Sequence, residues 1–85
     1  MDIVPIIVTS RSSGEKLGQI DLPSFCIQHM KMTPGSANAQ TMIGHIEKKC
    51  GCKVRQMYLG DHEVTKELNA DEMDGKKEII ISVIV

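Results

Sequence analysis

Aromatic residues are scarce in this chain of 85 residues, which has no tryptophan and only Phe25 and Tyr58. Long basic runs are absent as well, because both Lys48-Lys49 and Lys76-Lys77 stop at two residues and stand beside a glutamate. The net charge is −1. Proteins that bind nucleic acid commonly present a basic surface, and those that bind single strands add stacking aromatics. We therefore expect no nucleic-acid binding.

Segments that would enter a membrane or direct export are also lacking. The apolar stretch 3–8 is short and interrupted by Pro5, and the C-terminal run 79–85 is much shorter than the about 20 residues that span a bilayer. Three cysteines, an odd number, accompany no export signal, which is typical of free thiols in a reducing compartment. We expect an intracellular protein, cytoplasmic or nuclear, without membrane attachment.

The composition is typical of one small soluble domain. Hydrophobic residues make up 41% and charged residues 25% of the chain, which argues against disorder. A chain of 85 residues has room for one core, so residues 1–85 are predicted to form a single domain. The sequence contains no recognisable nucleophile motif or phosphate loop, and we expect neither enzymatic activity nor a cofactor.

The N-terminal half predicts a strand at residues 3–10, which are rich in β-branched side chains. Two segments then compete for the second strand. In residues 16–22 apolar and polar side chains alternate imperfectly, and Pro23 ends the segment. In residues 24–32, Cys26, Met30 and Met32 are spaced by even numbers and would share one face of a strand.

A helix is predicted after Thr33, a good N-cap, with Pro34 at the first helical position. Gly51 is placed to end this helix as the C′ residue. The apolar stripe at helical spacing consists of Ala37, Met42, Ile43, Ile46 and Cys50.

The C-terminal half predicts two short strands, a loop and a long strand, at residues 54–59, 62–64, 65–77 and 78–85. Leu68 and Met73 are the isolated apolar residues expected to pin the loop, and a tight turn is predicted at residues 74–75. Because the last strand is almost continuously apolar, we expect it mid-sheet beside the first strand. A mixed sheet over one amphipathic helix buries these segments economically.

This order of elements resembles ubiquitin and the small ubiquitin-like modifiers, most clearly from residue 41 onward. Residues 41–51 resemble the family's helix, residues 55–60 its third strand and turn, and Leu68 with Met73 its two loop plugs. The resemblance implies an α+β fold of the ubiquitin-like β-grasp kind, with a mixed four- or five-stranded sheet packed on one main helix. Counting back from Gly60 against the same family favours residues 24–32 as the second strand.

The chain departs from the family pattern at three places, one of which is the long segment between the first strand and the helix. It lacks the C-terminal Gly-Gly that conjugation requires and ends at Val85, so a modifier whose tail is missing here is an alternative rather than our first choice. Gln56 falls where the family buries an apolar residue. A strand shifted by one would instead place Met57 and Leu59 in the core.

The function that we predict is non-covalent binding of a protein partner, as a free adaptor or as the N-terminal domain of a larger protein. In the family register Met57 leaves the core and joins three residues of the last strand on the open face of the sheet. The predicted partner-binding residues are Met57, Ile80, Ser82 and Ile84. Exposed Met and Ile side chains form adaptable binding surfaces. The partner is not identified, and homodimerisation is left open.

A zinc-binding domain is the alternative from another functional class. Cys26 with His29, and Cys50 with Cys52, supply four residues that could close a tetrahedral zinc site. The spacing of Cys50 and Cys52 is tighter than is usual for paired ligands. We expect no metal and interpret Cys26 and Cys50 as small core residues. A Cys50–Cys52 disulfide would be strained.

Overall fold

A mixed five-stranded sheet carries two helices on one of its faces. The computed structural model describes residues 2–32, 36–65, 68, 72–73 and 75–85, with the backbone alone for residues 30–31 and 36–38. The elements are β1 (Ile3–Ser10), β2 (Lys16–Pro23), α1 (Ser24–Met32), α2 (Ser36–Cys50), β3 (Gln56–Leu59), β4 (His62–Glu63) and β5 (Ile79–Ile84). The expected α+β class is confirmed.

The last strand lies in the middle of the sheet, whose order is β2-β1-β5-β3-β4. It runs parallel to β1 and antiparallel to β3. The two outer pairs, β1 with β2 and β3 with β4, are antiparallel. The predictions that β5 is central and that β1 is its neighbour are confirmed.

The core lies between one face of the sheet and the helices. Alternate residues of β1 and β5 point into it, because successive side chains of a strand alternate between the faces. Helix α2 contributes Ala39, Met42 and Ile46, and α1 contributes Ile27. Leu68 and Met73 are buried as predicted, at 1% and 0% exposed. The buried strand residues are Val4, Ile6, Val8, Met57, Leu59, Ile79, Ile81 and Val83.

Helix α2 ends where the sequence predicts. Gly51 has a φ of 66°, and its N–H donates to the carbonyl oxygen of Glu47 at 2.9 Å, which is the bond expected of a left-handed C′ glycine. The predicted cap at Thr33-Pro34 lies outside the described residues, as do the side chain of Ala37 and Asp74 of the predicted turn.

The prediction that residues 24–32 form the second strand is wrong, because they form the short helix α1 beside the main helix α2. Residues Lys16–Pro23 form that strand, because their pairing with β1 brings Ile20 opposite Ile6 and Leu22 opposite Val4, on the core face. Helix α1 follows directly, where the N–H of Ser24 donates to the carbonyl oxygen of Asp2 at 2.9 Å.

Candidate functional site

The face of the sheet that points away from the helices, here called the open face, is apolar at its centre. Ile7 of β1 and Ile80 of β5 are direct neighbours in the parallel ladder, and Ile80 is 55% exposed. Ile3 is 49% exposed at the start of the same strand as Ile7. Pro5 and Ile84 are half-buried on this face. The apolar centre therefore spans β1 and the middle strand β5.

Arg11 lies across this face beside the apolar centre. Its guanidinium carbon is 3.9 Å from the centroid of the Tyr58 ring. Its Nη1 atom donates to Ser82 Oγ at 3.1 Å and to the carbonyl oxygen of Gly60 at 3.3 Å. The backbone N–H of Arg11 donates to the carbonyl oxygen of Val83 at 2.9 Å. These contacts hold a cation in place on the sheet.

Polar side chains border the open face on both sides. On the β2 side, Lys16 Nζ donates to Gln19 Oε1 at 3.2 Å, and Gln19 Nε2 donates to Asp21 Oδ1 at 2.9 Å. On the β4 side, Gln56 Nε2 donates to Glu63 Oε2 at 3.2 Å. An apolar centre with a polar rim is the common anatomy of a protein interface.

The placement of Met57 on the open face is wrong. Met57 is 1% exposed, because the antiparallel pairing of β3 with β5 puts it opposite Val83, which faces the core. The alternative register, with Met57 and Leu59 buried, is the one observed. Gln56 is exposed on the other face.

The other three predicted residues, Ile80, Ser82 and Ile84, do share the open face. The contribution of β3 to this face is Tyr58, which pairs with Ser82. Sequence analysis missed Tyr58, Ile7 and Arg11. The alternation of β1 and its predicted place beside β5 were sufficient to find Ile7.

The four residues of the alternative zinc site are not brought together. Cys26 and His29 of α1 line a cleft of about 490 Å³ between α1 and α2, together with His45. Cys50 and Cys52 lie at the C-terminal end of α2 and do not line this cleft. Among the described residues, no group of three or more His, Cys, Asp or Glu side chains could hold a metal ion. All three cysteines are free and half-buried.

No family model, curated protein or solved structure matches the chain. Within the described ranges, no helix is both long and apolar enough to cross a membrane. We therefore base the assignment of function on the geometry of the open face.

Proposed function

We propose that this chain is a ubiquitin-like β-grasp domain that binds another protein non-covalently through the open face of its sheet and has no catalytic role. The sheet order, with the first and last strands parallel at its centre, supports the β-grasp assignment. Helix α2, whose Met42 and Ile46 pack into the core, corresponds to the main helix of that fold. Helix α1 is an addition to it.

The observation that carries this proposal is that β1 and β5 carry isoleucine side chains on the open face as well as on the core face. Antiparallel sheets with one solvated face usually alternate apolar and polar side chains. Here Val8 and Ile81 fill the core while Ile7 and Ile80 pair on the opposite face. Placing isoleucine in water contributes little to the stability of the domain itself. Clustered exposed apolar side chains are characteristic of interaction sites.

Arg11 and Tyr58 strengthen the proposal, since arginine and tyrosine are enriched among residues that dominate binding energy. Their stacked contact and the bond to Ser82 Oγ orient Arg11 before any partner arrives. A side chain that is already ordered loses less conformational entropy on binding. The centre of the proposed interface is therefore preorganised.

The test compares immobilised wild-type domain with Ile80→Asp and Phe25→Asp in quantitative affinity purification. Phe25 is the matched control, because it is 59% exposed on α1, away from the open face. A protein retained by the wild type is then purified, and its affinity for each variant is measured by calorimetry. We expect Ile80→Asp to bind at least about tenfold more weakly, since few residues carry most interface energy, and Phe25→Asp to bind like the wild type.

Equal affinity of the wild type and Ile80→Asp would overturn the proposal, as would the absence of any retained protein. A loss confined to Phe25→Asp would move the binding site to the cleft between the helices. Circular dichroism of both variants checks that a loss of binding is not a loss of folding.

A further inference from the structure

Two of the three cysteines lie on either side of one fixed turn. Cys50 ends helix α2, Gly51 takes a φ of 66°, and Cys52 follows. Glu47 accepts two hydrogen bonds from the backbone of this turn. Its carbonyl oxygen accepts from the N–H of Gly51 and its Oε2 atom from the N–H of Val54, both at 2.9 Å. The thiols are thus carried by a backbone that is hydrogen-bonded before and after Cys52.

The two thiols are close enough to influence each other and open enough to react. Burial, with a smaller contribution from the neighbouring Cys52, raises the pKa of the Cys50 thiol above its usual value, while Lys49 opposes the shift. Both side chains are half-buried and free. Residues separated by one position are at most about 7 Å apart between Cα atoms. A left-handed glycine shortens that span towards the separation that a disulfide needs.

We propose that Cys50 and Cys52 form a dithiol site that exchanges with low-molecular-weight disulfides such as oxidised glutathione, closing a reversible Cys50–Cys52 disulfide. This site is separate from the open face. It takes a substrate of a different class, a small disulfide rather than a protein surface.

The exchange has two steps. The Cys52 thiolate attacks one sulfur of oxidised glutathione, which forms a mixed disulfide and releases one glutathione thiolate. The Cys50 thiolate then attacks the Cys52 sulfur and releases the second glutathione. The protein dithiol loses two electrons and two protons, and one molecule of oxidised glutathione becomes two of reduced glutathione. We assign the first attack to Cys52, because burial makes the Cys50 thiol harder to ionise.

Two features make the closed form easy to reduce again. The ring joins residues separated by a single glycine, and strained disulfides are the labile ones. The Sγ atom of Cys50 also rests against β2, only 2.8 Å from the position that a Cβ atom on Gly18 would take. Closing the ring requires this sulfur to move towards Cys52, and the space beside β2 is open to it again on reduction.

The test equilibrates the folded protein in buffers of increasing ratio of oxidised to reduced glutathione, followed by acid quenching and intact mass measurement. The Cys26→Ser variant serves as the background, so that only Cys50 and Cys52 react. We expect a species lighter by two hydrogen atoms, reversed by excess reduced glutathione. Cys50→Ser and Cys52→Ser in that background should form only mixed disulfides with glutathione. The variant with Cys26 as its only cysteine is the control for an isolated thiol.

Gly51→Ala in the Cys26→Ser background tests the turn itself. The ratio of closed ring to mixed disulfide should fall about tenfold, because the left-handed conformation is unfavourable for alanine. The inference is overturned if the background protein stays reduced or accumulates only mixed disulfides throughout the series. An unchanged ratio in Gly51→Ala would also overturn the role assigned to the turn.

Discussion

Met57 and Ile80 are apolar residues on neighbouring strands, yet they meet opposite environments. Met57 is packed among core side chains at 1% exposed, whereas Ile80 stands 55% exposed on the open face. The cost of a carboxylate differs accordingly, because burying an unpaired charge in an apolar core is expensive and placing it in water is not.

Met57→Asp should therefore destabilise the domain by more than about 4 kcal/mol, which is enough to unfold many domains of this size. Ile80→Asp should stay within about 1 kcal/mol of the wild type. Urea denaturation followed by circular dichroism measures both free energies of unfolding. Equal stabilities for the two variants would show that the register of β3 against β5 is wrong.

At the scale of elements, Ile27 is the one described side chain of helix α1 that is fully buried in the core. Ile27 is 2% exposed in the core, while Phe25 on the same helix is 59% exposed. Replacing each residue by alanine shows whether burial or side-chain size determines the loss of stability, since phenylalanine is the larger side chain but the more exposed one.

Ile27→Ala should cost about 2–5 kcal/mol through lost burial and the cavity left behind. Phe25→Ala, which removes more atoms, should cost less than about 1 kcal/mol because those atoms already contact water. Thermal unfolding of the two variants provides the comparison. A larger loss for Phe25→Ala would mean that α1 presents a different side to the sheet.

The sequence was sufficient to predict the elements that have a long apolar pattern or a strong capping residue. Helix α2 has its stripe and Gly51, and β5 has its apolar run. The α1 segment has neither. The spacing of its few apolar residues is compatible with one face of a strand and with one face of a helix. This ambiguity is general for short apolar segments. The count back from Gly60 that favoured residues 24–32 as a strand also allowed for no helix between β2 and α2.

The open face was predictable only in part for a related reason. Ile80, Ser82 and Ile84 follow from the alternation of β5 alone. Tyr58 depends on the register of β3, and a slip of one residue exchanges it with Met57. The stacking of Arg11 on Tyr58 joins residues distant in sequence, and local patterns contain no signal for it.

At the scale of the whole molecule, β5 joins the two halves of the sheet. It bonds to β1 on one side and to β3 on the other, so its amides and carbonyls are satisfied from both directions. The two-residue strand β4 lies at an edge and has one neighbour. Opening the centre of the sheet requires separating both halves, whereas the edge opens locally.

Amide hydrogen exchange measured by NMR should therefore be slowest in β5 and in its parallel neighbour β1. The amides of β4 and of the turn at residues 11–14 should exchange much faster, since they can open without global unfolding. The protection of Ile81 should report the global free energy of unfolding. Protection in β4 equal to that in β5 would contradict this arrangement.

The contact between Gly18 and the Cys50 sulfur has a consequence for how the sequence can vary. The two positions, 32 residues apart, share a single volume, because a β-carbon at position 18 would lie 2.8 Å from that sulfur. A variant library randomised at both positions should therefore yield folded proteins with a side chain at 18 more often when position 50 is small, because otherwise the sulfur has to move. The effect of a substitution at position 18 therefore depends on the residue at position 50.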